Sequence, residues 1–196
     1  MKNLKFSRYL VILLLSITST SVFAHTGVGA IHGFVDGLVH PWIGVDHLLV
    51  MVAIGLWAAV SGGRTMWLLP SAFLTAMVTG ALLSFASITL TGAEIWVAFS
   101  VLALGLLLSL NKPISTVAAT SLVAAFAITH GYVHAAEIGS GANAAAEYSL
   151  GFLIATAVLH AIGMATALTG PAVMKTIRTV FAVVCTVVGA ALLAGV

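Results

Sequence analysis

The sequence predicts an all-α integral membrane protein: six transmembrane helices after a cleavable signal peptide, with the first helix kinked or broken near Pro41. Three observations predict it. Of 196 residues, 61% are hydrophobic and 6% are charged, and the mean hydropathy is +1.20, whereas a soluble domain carries about 25% Asp, Glu, Lys and Arg. The few charges punctuate apolar runs long enough to cross about 30 Å of hydrocarbon. The chain also begins with a basic stretch followed by a short apolar one. Such a composition excludes an ordinary soluble domain, a disordered chain and a nucleic-acid-binding module. The net charge of +2 gives no argument for an anionic partner, and a single cysteine, Cys185, excludes an internal disulfide framework and a multi-cysteine metal site. Against so few charges, seven histidines are conspicuous.

Residues 1–24 read as the signal peptide. Lys2, Lys5 and Arg8 form its basic region, Tyr9 to Leu15 its apolar region, and Val22-Phe23-Ala24 the cleavage site. Cleavage there leaves His25 as the mature N-terminus, where its α-amine and imidazole can chelate a metal together. One membrane domain, 25–196, follows. Its spans are predicted at 41–60, 66–90, 95–111, 114–136, 147–169 and 178–196. Helices are the sensible assignment, because each run satisfies its own backbone, whereas a barrel needs alternating polarity. Gly62-Gly63, Asn111-Lys112-Pro113 and Gly170-Pro171 supply turn chemistry at three breaks. Arg64, Lys112, Lys175 and Arg178 fall in alternate loops, which the positive-inside rule places in the cytoplasm. Glu94, Glu137 and Glu147 flank the opposite loops, so both mature termini are expected outside the cytoplasm.

Ionisable groups inside spans are costly and mark function. His32, Asp36, His40, Asp46 and His47 fall within an arc of about 120° on one continuous helix. Pro41 interrupts that helix, since it lacks a donor and crowds the carbonyl of Gly37. His130, His134 and Glu137 stack on one face at i, i+4 and i+7, at the end of span four that lies on the side where span one begins. Neutral imidazole with carboxylate suits borderline divalent metals, nickel, cobalt, zinc or iron, and ligand type does not choose among them. Protons compete for the same nitrogens, so binding weakens as pH falls. His160 stands alone in span five, either as a deeper way-station or as a packing group. The Met and Trp residues read as lipid-facing or interfacial, Cys185 as a small packing residue, and Gly189-Ala190-Ala191 as a close helix contact. The tetrapeptide His32-Gly33-Phe34-Val35 returns as His130-Gly131-Tyr132-Val133, two similar segments and not a duplication.

The stretches HPWIGVDHLLVM at 40–51, AIGLWAA at 53–59 and HGYVHAAE at 130–137 resemble the HupE/UreJ family of hydrogenase- and urease-accessory nickel permeases. The resemblance covers the whole chain. Thr129 stands where the family's fourth-span motif has an aromatic residue and Ala135 where it has a glycine, while His130, Gly131, Val133, His134 and Glu137 match. It implies uptake of nickel(II), with cobalt an alternative ion, as transported substrate and not as a prosthetic group. On that footing 25–196 is a permease domain and not an enzyme. His40, Asp46, His47, His130, His134 and Glu137 form the selective outer metal site, His32 and Asp36 recruit the ion, and His25 captures it first. Partners are then the ion, the bilayer and a hydrogenase or urease maturation pathway, with a homo-oligomer left open. No separate proton or sodium site is visible, so energy-uncoupled or potential-driven movement is expected. The rival readings are an intramembrane zinc hydrolase, for which no separate general base or substrate groove is visible, and a membrane metallochaperone or sensor that shares every ligand.

Overall fold

A computed structural model describes residues 33–110, 112–138 and 142–195. The expected signal peptide, His25 and His32 lie outside the described residues. The described residues form α1 (Gly33–Ile43), α2 (Val45–Ser61), α3 (Thr65–Phe85), α4 (Ala93–Leu110), α5 (Thr116–Glu137), α6 (Ala142–Met164), a 3-10 turn (Ala165–Leu168) and α7 (Pro171–Ala194). The helices α3, α4, α5 and α7, and α6 together with the 3-10 turn, are each long and apolar enough to cross a membrane. The pair α1 and α2 meets the same test only together, and it is bent by 79°.

That bend bears out the expected kink or break near Pro41 and sets it three residues further on. Pro41 lies inside α1, and the chain turns at Gly44 instead. The last turn of α1 closes when the Gly44 N–H donates to the His40 carbonyl at 3.3 Å. Gly44 is extended (φ −71°, ψ 111°), and its own carbonyl accepts the first hydrogen bond of α2, from Leu48 N–H at 2.9 Å. One glycine therefore ends one helix axis and starts another. Three further boundaries move, one of them the start of α6, which lies at Ala142 and not at residue 147. α3 stops at Phe85, not at residue 90, because Ser87 takes a left-handed conformation (φ 58°). There the Ile88 N–H reaches the Leu83 carbonyl and the Ser87 N–H the Ser84 carbonyl, the paired bonds of a Schellman cap. α7 starts at Pro171, which suits the first helical position, so Lys175 and Arg178 lie on its first two turns and not in a loop.

α2 sits at the centre. Val50, Met51, Ala53, Ile54, Leu56 and Ala58 are buried on all sides of it, as expected of a helix that is apolar all round. Around it α3 lies along α5, α4 along α7, and both α1 and α2 along α6. Met51, Met77 and Trp57 are core residues, contrary to the lipid-facing expectation, whereas Trp42, Trp67 and Trp96 are exposed. In lipid the hydrophobic effect drives helices together only weakly, so contact rests on close backbone packing. Each principal seam has a reciprocal glycine pair. A methyl on Gly37 would overlap the Tyr148 carbonyl and one on Gly151 the Phe34 carbonyl, joining α1 to α6. Gly55 and Gly163 do the same between α2 and α6, Gly80 and Gly131 between α3 and α5, and Gly105 and Gly189 between α4 and α7.

The two ends of the bundle differ in charge. At one end Ser61, Thr65, Lys112, Thr116 and Arg178 line a cavity of about 390 Å³, where the Thr65 and Thr116 hydroxyls meet at 2.7 Å. At the other, Glu94 opens α4 and Glu137 closes α5, lining a common cavity with Tyr132.

Candidate metal centre

The site lies at the elbow between α1 and α2, against the end of α5. On one straight helix, residues seven apart are separated by about 10 Å along the axis. The bend at Gly44 instead brings the His40 and His47 rings to 5.9 Å between centroids. His134 comes up from α5 and packs 4.1 Å from the His47 ring and 4.8 Å from His40. One nitrogen from each of His40, His47 and His134 lies within 4.8 Å of the others, a set able to hold a metal ion. His47 and His134 are buried and His40 is partly exposed, so the trio has a dry floor and an open mouth.

A carboxylate joins it. Glu137 Oε2 lies 3.6 Å from His134 Nδ1 and 3.8 Å from His40 Nε2. Asp46, beside His47 on the first turn of α2, accepts from the His47 backbone N–H at 2.9 Å and stands 3.7 Å from its Nε2. Phe152 covers His134 at 4.3 Å, and Tyr148 lies 6.0 Å from His40, so α6 supplies an apolar wall. Asp46, His47 and Glu94 also line a cavity of about 280 Å³ on the α4 side. Ligands backed by apolar walls strengthen the electrostatic attraction of a cation, because little water screens it.

Sequence reading placed His130 among the ligands. The structure puts it behind His47, with both ring nitrogens engaged: Nδ1 is 3.2 Å from His47 Nδ1 and Nε2 is 3.0 Å from Ser100 Oγ. These contacts fix the hydrogens of the neutral rings. Ser100 donates its hydroxyl hydrogen to the Val97 carbonyl at 2.6 Å, which can only accept. Ser100 Oγ must then accept from His130 Nε2–H, so His130 Nδ1 carries a lone pair. His47 Nδ1–H donates to that lone pair, so His47 Nε2 is the ring nitrogen that carries a lone pair. Partners that orient a ligand in this way commonly matter about 10–100-fold to metal affinity or activity. Ser100 is a residue that spacing did not reveal, since it lies on α4, thirty positions from His130. Replacing Ser100 by alanine is expected to weaken divalent-metal binding at the trio by about tenfold while leaving the fold intact, measured by equilibrium dialysis of purified protein; unchanged affinity would count against the relay.

Asp36 is exposed on α1, one turn before His40, and is not part of the converging trio. The glycine at the elbow matters for space. A methyl on Gly44 would come within 2.7 Å of His47 Cδ2 and 3.2 Å of Asp46 Oδ1. Gly44→Ala should therefore swing His47 out of register and weaken divalent-metal binding at the trio several-fold at unchanged protein level, as followed by equilibrium dialysis and immunoblot.

The chain matches the family described as HupE / UreJ protein over residues 13–192. It is also 42% identical over 141 residues to a protein named Protein HupE from Rhizobium leguminosarum bv. viciae, covering 72% of this chain and 73% of that one. No solved structure matches it.

Proposed function

The chain belongs to the HupE/UreJ family, and we propose on that premise that it is a nickel(II) permease of the bacterial inner membrane. Residues 1–24 act as a cleaved signal and 25–196 as the permease domain, with both mature termini outside the cytoplasm. The observation that carries the reading is the convergence of His40, His47 and His134, from two stretches of sequence far apart, on one metal-capable point beside Glu137. His40, Asp46, His47, His134 and Glu137 bind the ion at the outer end, His130 holds His47 in its basic form, and His32 and Asp36 recruit the ion above them. The clustering of Lys112 and Arg178 around one cavity supports that end as cytoplasmic, by the positive-inside rule.

Three imidazoles and two carboxylates suit nickel, with cobalt as the competing ion. The ion exchanges hydration water for these ligands on the way in, and the site must be weak enough to release it inward. The metal supplied serves hydrogenase or urease maturation. The protein moves an ion and performs no covalent chemistry.

Proteoliposomes containing the wild-type chain are expected to accumulate radiolabelled nickel above empty vesicles, with cobalt competing. Protons compete for imidazole nitrogen, so uptake should fall as the outer pH is lowered. Accumulation equal to that of empty vesicles would defeat the reading.

A further inference from the structure

Beyond the outer cluster, the interior holds a second polar position that the outer site does not use. His160 on α6 is 1% exposed, and Thr156, one turn earlier on the same face, is 0% exposed. His160 Nδ1 lies 2.7 Å from the Thr156 carbonyl. A carbonyl can only accept, so Nδ1 carries the hydrogen and Nε2 of the neutral ring carries a lone pair. That Nε2 has no hydrogen-bond partner among the described residues, and neither has the Thr156 hydroxyl. A buried polar atom left unsatisfied costs about 1–3 kcal/mol, and such groups persist where a ligand visits them.

The position is related to the outer cluster through Phe73. This fully buried ring of α3 lies 5.7 Å from the His130 ring and 5.1 Å from the His160 ring. His160 also sits beside Gly55, whose missing side chain lets α2 approach the His160 carbonyl. Gly55 lies about 12 Å further along α2 than His47. Phe73 thus touches both the His130 ring, which backs His47, and the His160 ring, whose Nε2 has no hydrogen-bond partner among the described residues.

We propose that His160 Nε2, with the Thr156 hydroxyl beside it, is an inner docking point for the transported divalent cation, divided from the outer cluster by Phe73. This rests on the permease reading and adds a second stop to the path. Two stops suit conduction, because an ion held at one deep site alone is slow to leave. The outer trio selects the ion, and His160 receives it after Phe73 turns aside.

The test compares the full-length wild type with His160→Ala and His160→Gln, in proteoliposomes and in purified form. The inference expects nickel uptake to fall about tenfold or more in both variants, while nickel affinity at the outer cluster, read by equilibrium dialysis, stays unchanged. Uptake equal to wild type in a variant that still binds nickel overturns it. A second readout uses cobalt(II) in place of nickel. Coordination through Nε2 leaves His160 Nδ1–H in place, so wild type should show an exchangeable, hyperfine-shifted proton resonance that both variants lack. Absence of that resonance in cobalt-loaded wild type overturns the inner stop. If wild-type vesicles accumulate no nickel, the permease reading falls, and the cobalt spectrum still decides whether His160 binds a cation. If the variants fail to fold, the wild-type count decides: the three outer histidines give at most three such resonances, and absence of a fourth overturns the inner stop.

Discussion

His134→Ala is expected to lower nickel uptake by about a hundredfold, at the upper end of what even a residue supporting a ligand commonly costs. His134 is the member of the trio packed most closely on both of the others, and it meets Phe152 and Glu137 as well. Its ring stands 4.1 Å from His47, 4.8 Å from His40 and 4.3 Å from Phe152, and its Nδ1 is 3.6 Å from Glu137. Removing it leaves two imidazoles at the elbow with nothing from α5 but the carboxylate, and opens a gap on the apolar wall. His47→Ala should cost as much, because the relay from Ser100 through His130 then ends on nothing. The double variant should be little worse than either single one, since residues that act as one unit are not additive. Initial uptake rates at matched protein level test this; losses that multiply in the double variant would mean that the two rings bind separately.

Gly131→Val is expected to destroy the protein before any ion is tested. Gly131 lies on α5 where Met77 of α3 passes, and a single methyl there already overlaps the Met77 carbonyl and comes within 2.7 Å of its carbon. Helix backbone cannot yield as a side chain does, so α3 and α5 must part along their whole contact. Overpacking a rigid interior costs about 1–3 kcal/mol and sometimes more, and this site stands at the severe end because both colliding groups are main chain. The expected outcome is loss of membrane-inserted protein by immunoblot and a Tm lowered by many degrees for any fraction recovered. Gly170→Ala is the control: nothing lies within 4 Å of that position, and its φ of −67° suits any residue. Comparable loss in both variants would remove the seam explanation.

The reach of the sequence can be judged from single residues. The helical stacking of His130, His134 and Glu137 was legible because all three lie on one uninterrupted helix, α5. Gly189 was legible as a contact because a small-residue run in an apolar span has few other uses, and its backbone neighbour proves to be Leu102. The shared face assigned to His40 and His47 was not a sound route to their meeting, since the helix on which it was drawn breaks at Gly44. They meet because the chain turns there. Ser100, Phe73 and Phe152 were invisible for a different reason: an ordinary serine or phenylalanine in an apolar span gains its role only from the helix that packs beside it. The same holds for Met51 and Trp57, whose burial follows from the central place of α2.

The position of His47 on the first turn of α2 has an electrical consequence. A field across the bilayer acts on an ion in proportion to the fraction of the thickness already crossed, about 2.3 kcal/mol per elementary charge per 100 mV for the whole distance. On the permease reading, an ion held at the elbow has crossed less of that field than one at His160, which lies beside Gly55 about 12 Å further along α2. Affinity at the outer cluster should therefore depend less on voltage than the rate of passage does.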